Sequence, residues 1–474
     1  MSLKLPLATF LTDPDFVRLL YIVAFVLFIL GMRQVTGPTT ARRGNATAAG
    51  GMAIAVIATL LLPRVGDYGL IALGIAIGTV IGVPAARTVK MTAMPQMVAL
   101  FNGVGGGAVA LISWAEYRHA LENGGSNPEL SILIPILFAA IIGSVSFWGS
   151  NIAFGKLQDV LPQKPIALPG QQFISAIVLI VAVGAAAIIA GGTESQVLFV
   201  VILLAAAVLG NMVVLPIGGA DMPVVISLLN ALTGLSAAAA GIALGNVALI
   251  VGGIIVGASG TILTNLMADA MNRSIPNIVA GGFGGGGALA SSGDGEEKPH
   301  RSTDATSVAI ALTQADAVVV APGYGLAVAQ AQHTVRELAD ELEKRGVEVN
   351  YAIHPVAGRM PGHMNVLLAE ADVPYEALKE MDEINPEFAT TDVTLVIGAN
   401  DVTNPAARED EGSPIYGMPI LDVDKSEAVV VFKRSMNTGF AGIDNPLFYN
   451  ENTEMLFGDA KSSVAEVLAA VKGL

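Results

Sequence analysis

Gly281-Gly282-Phe283-Gly284-Gly285-Gly286-Gly287 divides this chain into two different physical objects. The residues before it read as a bundle of membrane helices. After it, and after the polar stretch Ser291–Thr303, comes a charged domain with a dinucleotide-type glycine turn. Charge divides at the same place. Residues 1–300 hold 13 Lys+Arg against 13 Asp+Glu, and residues 301–474 hold 12 against 27, so the whole net charge of −15 falls in the second part. The expected organisation is a membrane domain over 1–276, a Gly/Ser-rich linker over 277–303 and a soluble domain over 304–474.

The composition fits that division. The chain is 53% hydrophobic but 14% charged, against roughly 25% charged in soluble domains. Its 53 glycines suit close helix packing in lipid, where small residues let backbones approach. The absence of cysteine excludes disulfides, thiolate catalysis and Cys-based metal or iron–sulfur sites. A sequence pI of about 4.7 argues against nucleic acid as a partner. Residues 1–14 read as a short amphipathic lead-in without a cleavage site.

A spanning helix needs ~20 largely apolar residues. Nine segments qualify: Phe16–Met32, Ala46–Leu62, Gly69–Ala86, Pro95–Ala115, Leu130–Ser150, Gln172–Ala190, Gln196–Pro216, Val224–Leu244 and Val247–Met271. Basic residues set the orientation. Arg33, Arg42, Arg43, Arg87, Lys90, Lys156, Lys164 and Arg273 fall on one side, and only Lys4, Arg18, Arg64 and Arg118 on the other. That places the N-terminus outside and the soluble domain in the cytoplasm.

Polar residues within the spans are costly in lipid and mark either interhelical hydrogen bonds or a path. They are Asn102 beside Gly103 and Gly105–Gly107, then Ser144, Ser146, Ser150 and Asn151, then Asn230, Thr233 and Ser236, then Ser259, Thr261, Thr264 and Asn265. As a set on four helices they predict a polar conduit, with the glycines beside Asn102 leaving room for water. No Asp, Glu, His or Lys falls near a span centre. Asp221, in the loop Pro216–Pro223, and Arg273, ending the last span, read as interfacial anchors or as a junction ion pair.

In the second part, the valine-rich run Ala317–Ala321 is followed by the turn Pro322-Gly323-Tyr324-Gly325-Leu326-Ala327-Val328, an amphipathic helix and a second strand, Val347–Ile353. That order opens a Rossmann-like unit, with glycines for a tight turn and close approach to a pyrophosphate. Further strands are expected at Thr394–Ile397, Pro419–Asp422 and Ala428–Phe432. In a parallel sheet ligands bind beyond the carboxyl ends, so Gly398–Asp401 and Lys433-Arg434-Ser435 are placed at the site. The second strand ends in Ile353-His354-Pro355, with no acid for a ribose 2′-hydroxyl. Two cations and a hydroxyl at Lys433–Ser435 favour NADP over NAD; the plainer reading is a solvated Lys-Arg pair.

Taken together these segments resemble the beta subunit of the proton-translocating nicotinamide nucleotide transhydrogenases. The likeness rests on Pro322–Gln330, His354–Glu370, Met381–Asn385, Gly398–Ala406, Lys433–Thr438, Asn445–Phe448 and Met455–Ala460, and in the membrane half on Gly219–Val225 and Ala270–Ser274. The resemblance implies hydride transfer between NADH, on a partner alpha subunit, and NADP(H) bound here, coupled to proton movement across the bacterial inner membrane by a homodimer of alpha–beta units. It implies that Gly323, Tyr324, Gly325 and Val328 lie along the dinucleotide. Val356, Ala357, Gly358, Arg359, Met360 and Pro361, with Gly398, Ala399, Asn400, Asp401 and Val402, would flank the nicotinamide. Gly417, Met418, Asp459 and Ala460 would complete the pocket. Lys433, Arg434 and Ser435 would take the 2′-phosphate, under a lid of Met436, Asn437, Thr438, Gly439 and Phe440. Asp401 is the expected coupling acid. Ser150, Asn230 and Gly260 match proton-path positions. Asn102 stands where better-known members have a histidine, so the titrating group is expected elsewhere. The alternative is a transporter or channel with a nucleotide-sensing domain.

Overall fold

The computed structural model describes residues 12–62, 65–90, 93–124, 126–162, 164–276, 278–279, 299–360, 362–413, 415–439 and 441–474. The lead-in to residue 11, the glycine run 281–287, Lys4, Arg64, Pro361 and Phe440 lie outside the described residues.

Nine long helices form among the described residues: α1 Pro14–Val35, α2 Pro38–Leu60, α3 Tyr68–Thr88, α4 Met94–Gly124, α5 Leu130–Leu157, α6 Gln171–Ala190, α7 Gln196–Val214, α8 Met222–Leu244 and α9 Val247–Ala270. Eight are long and apolar enough to cross a membrane. The exception is α2, whose first turns carry Arg42, Arg43 and Asn45. It nevertheless folds back along α1, with Gly31 against Gly44 and Ala48, and Gly51 against Ala24. Several helices run past the expected spans because polar residues extend them beyond the apolar stretch, whereas α2, α7 and α9 stop one or two residues short of the expected ends. α4 runs 31 residues and continues through Glu116, Arg118 and Glu122.

Small residues decide how closely these helices pack. A Cβ on Gly106 of α4 would stand 2.9 Å from the Gly143 carbonyl oxygen of α5, and one on Gly143 would stand 2.7 Å from Gly106 O. Backbone contact of this kind replaces the hydrophobic driving force that lipid does not provide. It also corrects the reading of the glycines beside Asn102. Gly103, Gly106 and Gly107 meet Ser150, Ser146 and Phe147, so most of that space is filled by α5. One helix stands apart: α3 buries none of its residues.

The C-terminal part is one parallel sheet in the order β1-β7-β6-β5-β2-β3-β4. Its strands are β1 Arg301–Ser302, β2 Ala317–Pro322, β3 Glu348–Ile353, β4 Leu378–Glu380, β5 Val393–Ile397, β6 Ala428–Lys433 and β7 Thr453–Phe457. Its helices are α10 Ala305–Gln314, α11 Tyr324–Ala329, α12 Gln332–Glu343, α13 His363–Glu370, α14 Met381–Ile384, α15 Ala406–Glu409 and α16 Ala460–Gly473. Alternate residues of β2 explain why the strand is a valine run. Val318 and Val320 join a core with Val335, Leu338 and Val467, while Val319 and Ala321 join another with Phe388, Leu421 and Phe448. A strand buried on both faces carries no polar alternation. Pro419–Asp422, expected as a strand, forms none: it runs alongside Val402 and Asn385 through Leu421 N to Val402 O and Asp422 N to Asn385 Oδ1. The sheet begins at Arg301, whose strand pairs with Glu454 and Met455 inside the expected linker.

Candidate functional site

Leaving aside the short β1, the strand order is that of two mononucleotide-binding halves meeting between β2 and β5, where ligands settle in open parallel sheets. At this switch point the loops after the two strands lock together. Gly323 N donates to Ile397 O and Gly325 N to Gly398 O, both at 2.9 Å. A Cβ on Gly323 would stand 2.3 Å from Gly398 O, and Gly398 itself has φ +70°. The glycine turn is thus required by contact with the neighbouring loop, a demand separate from the approach of a pyrophosphate. Tyr324 then opens α11 from the extended Gly323.

The carboxyl ends of β3, β2, β5, β6 and β7 bring residues 354–360, 323–328, 398–402, 433–435 and 458–460 to one edge. Val328 is exposed on α11 and Ala399 is buried under the edge. Met360 follows Arg359 in the loop after β3 and Val402 packs beneath β5. The loop after β3 folds back through two histidines. His354 is buried, accepts from Val356 N at Nδ1 and bonds Pro419 O at 2.8 Å through Nε2. His363 Nδ1 accepts from Arg359 N, and Gly358, at φ +110°, leaves that ring its place. Ala357 is buried beside them.

Burial pushes His354 down to about 4; burial, then the Arg359 charge, pushes His363 down to about 4. Both are neutral at pH 7. The unfolded chain, with ordinary imidazoles near 6.5, binds more protons below that pH, so stability is full above 6.5 and is lost as pH falls toward 4. We expect each histidine to remove ~2 kcal/mol by pH 5. Denaturant melts of the sheet domain between pH 5 and 7.5 check this. A His363→Phe variant that titrates as steeply as wild type would contradict it.

Asp401, in the turn after β5, holds the segment that follows β6. Its Oδ2 accepts from Ala441 N at 2.9 Å. A Cβ on Gly439 would stand 2.0 Å from Asn400 Nδ2, and Asn445 Nδ2 donates to Asn400 O and Oδ1. Lys433 turns into the same segment: Nζ donates to Asn437 O at 2.6 Å and lies over the Phe448 ring. Burial pushes the Lys433 ammonium down, opposed by the Asp401 and Asp444 carboxylates. Arg434 and Ser435 are exposed, as are Asn437 and Thr438, while Met436 packs on the core. Asp459 caps α16, accepting from Lys461 N and Ser462 N, with Ala460 as its first residue.

The edge also touches the helix bundle. The Arg359 guanidinium lies 4.3 Å above the Tyr324 ring, and its NH1 donates to Leu157 O, at the end of α5, at 2.8 Å. Gln96 of α4 donates to that same carbonyl. Val356 packs on Leu157, Met222 and Met267. Gly417 and Met418 sit away from the switch point. Asn272 donates to Tyr416 O and fills the space beside Gly417, and Met418 packs with Ile415 and Ile420. They line a cleft of about 530 Å³ whose cation, Arg408, is taken by Asp422 and Asp424. Next to Asn272, Arg273 holds Asp221 with both carboxylate oxygens at 2.8–2.9 Å. Burial raises the Asp221 carboxyl, opposed by Arg273.

Inside the bundle, α4, α5 and α8 bring polar groups together. Asn102 Nδ2 donates to Ser150 Oγ at 2.9 Å and to Ser146 Oγ at 3.3 Å. Ser146 Oγ continues to Thr233 Oγ1 and Leu229 O. Asn230 is half-buried on α8 without a hydrogen bond to the described residues. Ser259, Thr261 and Thr264 bond carbonyls of their own helix. Gly260 packs against Ala231 and its carbonyl accepts from Ser227. Sequence reasoning missed the Leu157 carbonyl and Asn272 as junction contacts, because backbone acceptors and partners distant in the chain leave no motif. It also read Lys156 as an orienting charge. Lys156 is fully buried, with Nζ on Leu215 O and Ile217 O.

A family model described as NAD(P) transhydrogenase beta subunit matches residues 17–470. The chain belongs to that family. Two relatives named NAD(P) transhydrogenase subunit beta, both from Rhodospirillum rubrum and one from a named strain, are each 49% identical over 455 residues, spanning 95% of this chain and 98% of theirs. Membership in the family of a beta subunit implies an alpha subunit as partner, and eight apolar helices make the chain a membrane protein.

Proposed function

We propose that this chain binds NADP(H) at the carboxyl edge of its sheet and couples hydride exchange with NAD(H), held on an alpha subunit, to proton translocation through the helix bundle. The observation that carries the reading is the contact chain Tyr324–Arg359–Leu157, which joins the dinucleotide edge to the end of α5, the helix that also carries Ser146 and Ser150.

The residues at the edge suit NADP(H). His354 is committed to Pro419 O and Val356 N, so no acceptor stands at the end of β3 for a ribose 2′-hydroxyl. The cations lie at the end of β6, on the other side of the switch point. Lys433, Arg434 and Ser435 would hold the 2′-phosphate, and Tyr324 with residues 356–359 would take the nicotinamide end. NADP(H), when bound, supplies the hydride chemistry; the chain supplies distance and orientation. Arg359 and Tyr324 position that end, Asp401 and Asn400 hold Ala441 and Gly439 of the segment after β6 beside it, and Asp401 changes its protonation when the hold is released. Gly417 and Met418 face the bundle junction beside Asn272, away from Tyr324. The exterior N-terminus and the cytoplasmic sheet domain belong to the same proposal, supported by the distribution of Lys and Arg; the inner-membrane location and the dimer of alpha–beta units rest on the family resemblance.

Asn102, Ser146, Ser150 and Thr233 form the proton route of this reading, with Asn230 beside it and the Ser259–Thr264 stretch on the neighbouring helix. None of these groups titrates near neutral pH, so a partner's intramembrane group supplies the titrating step. The Asp221–Arg273 pair fixes the bundle's end next to the Asn272 contact. In proteoliposomes holding the alpha–beta complex, Asn102→Leu removes two donated bonds and is expected to lower pumping by at least about tenfold, with NADP binding intact. Unimpaired pumping would place the route elsewhere. The wider proposal fails if such proteoliposomes transfer hydride without moving protons.

A further inference from the structure

Lys90, Lys461, His333, Gln332 and Glu370 line a cleft of about 450 Å³ where the helix bundle meets the sheet domain. Lys90 follows the end of α3, a helix apolar enough to cross a membrane and exposed along its whole length, which puts the cleft at the outer edge of the bundle in this chain. Gln332 and Lys461 stand in the first turns of α12 and α16. The uncapped positive end of α12, a helix of 12 residues, therefore turns to the cleft beside two ammonium groups, while Asp459 caps that of α16. Among the described residues neither Lys90 nor Lys461 has an ion-pair partner.

Gln332 and Glu370 also bring acceptors to this cleft. Gln332 is 5% exposed; its Nε2 donates to Glu370 Oε2 at 3.5 Å, and its Oε1 is buried with no partner among the described residues. A buried acceptor left unmade is costly, so this atom calls for a donor, and Glu370 beside it favours a charged one.

We propose that this cleft binds the phosphoethanolamine headgroup of a membrane lipid. The phosphate meets Lys90 and Lys461, and the ammonium donates to Gln332 Oε1 and Glu370. A glycerol headgroup brings no cation to Glu370. A choline headgroup has no N–H to give Gln332. The lipid would tie the sheet domain to the outer helix of the bundle.

The test uses the delipidated alpha–beta complex and native mass spectrometry with equimolar phosphatidylethanolamine, phosphatidylcholine and phosphatidylglycerol. Wild type is expected to retain phosphatidylethanolamine about tenfold over phosphatidylcholine, and Lys90→Ala/Lys461→Ala to cut that retention about tenfold. Glu370→Gln is expected to erase the preference while NADP affinity, measured as a fold control, stays at wild type. Equal retention of both lipids by wild type, or unchanged retention in both variants, overturns the proposal. Displacement of the lipid by an equal concentration of free phosphoethanolamine also overturns it, assigning the cleft to a soluble ligand.

Discussion

Replacing Lys433 and Arg434 together with alanine is expected to weaken NADP(H) binding by about 100-fold and leave NAD binding unchanged. Charge-assisted bonds contribute roughly 1.5–3 kcal/mol each. Arg434 is exposed, which puts its share at the low end. Lys433 is partly spent on Asn437 O and the Phe448 ring, so its loss also loosens residues 436–439. The direct measurement is calorimetric titration of the sheet domain, residues 299–474, with NADP and NAD. If the double variant keeps the wild-type preference for NADP, the cations do not read the 2′-phosphate. The single Arg434→Ala variant separates the two effects, because Arg434 makes no bond to the described residues of the loop.

The second large effect is expected from Asp401→Asn. The side chain keeps its shape and can still accept from Ala441 N, so the fold should survive with a loss of about 1 kcal/mol, the difference between a charged and a neutral acceptor. What disappears is the carboxylate that accepts from Ala441 N and whose charge faces Lys433. Proton-linked turnover is expected to fall at least about tenfold, and the pH dependence of NADP(H) release to flatten. Stopped-flow release rates between pH 6 and 9 measure this. Release and turnover indistinguishable from wild type across that range would remove Asp401 from the coupling step.

Much of this molecule is legible in the chain itself. Runs of about 20 apolar residues can only be satisfied as helices in lipid, which is why eight of the nine expected spans reappear as helices apolar enough to cross a membrane, the ninth reappearing as α2 packed along α1. A valine run followed by Gly323-Tyr324-Gly325 and an amphipathic helix has few folds open to it, and the parallel sheet followed. Pro419–Asp422 misled because a short apolar segment looks the same whether it pairs in a sheet or lies against a loop. β7, by contrast, showed only as the motif Met455–Ala460, since two of its five residues are polar or charged.

What the tertiary structure alone decided is which residues share a space. That Arg359 stacks on Tyr324 and reaches the Leu157 carbonyl depends on how the sheet domain sits against the bundle, and a backbone acceptor has no side chain by which a sequence could announce it. Gly103, Gly106 and Gly107 could equally have made room for water or for a helix; the register between α4 and α5 gave the space to α5 and turned Asn102 toward Ser146 and Ser150. Gly323 and Gly398 are 75 residues apart, and only the adjacency of β2 and β5 makes each the reason for the other. Local chemistry chooses the elements; contacts between distant residues choose the site.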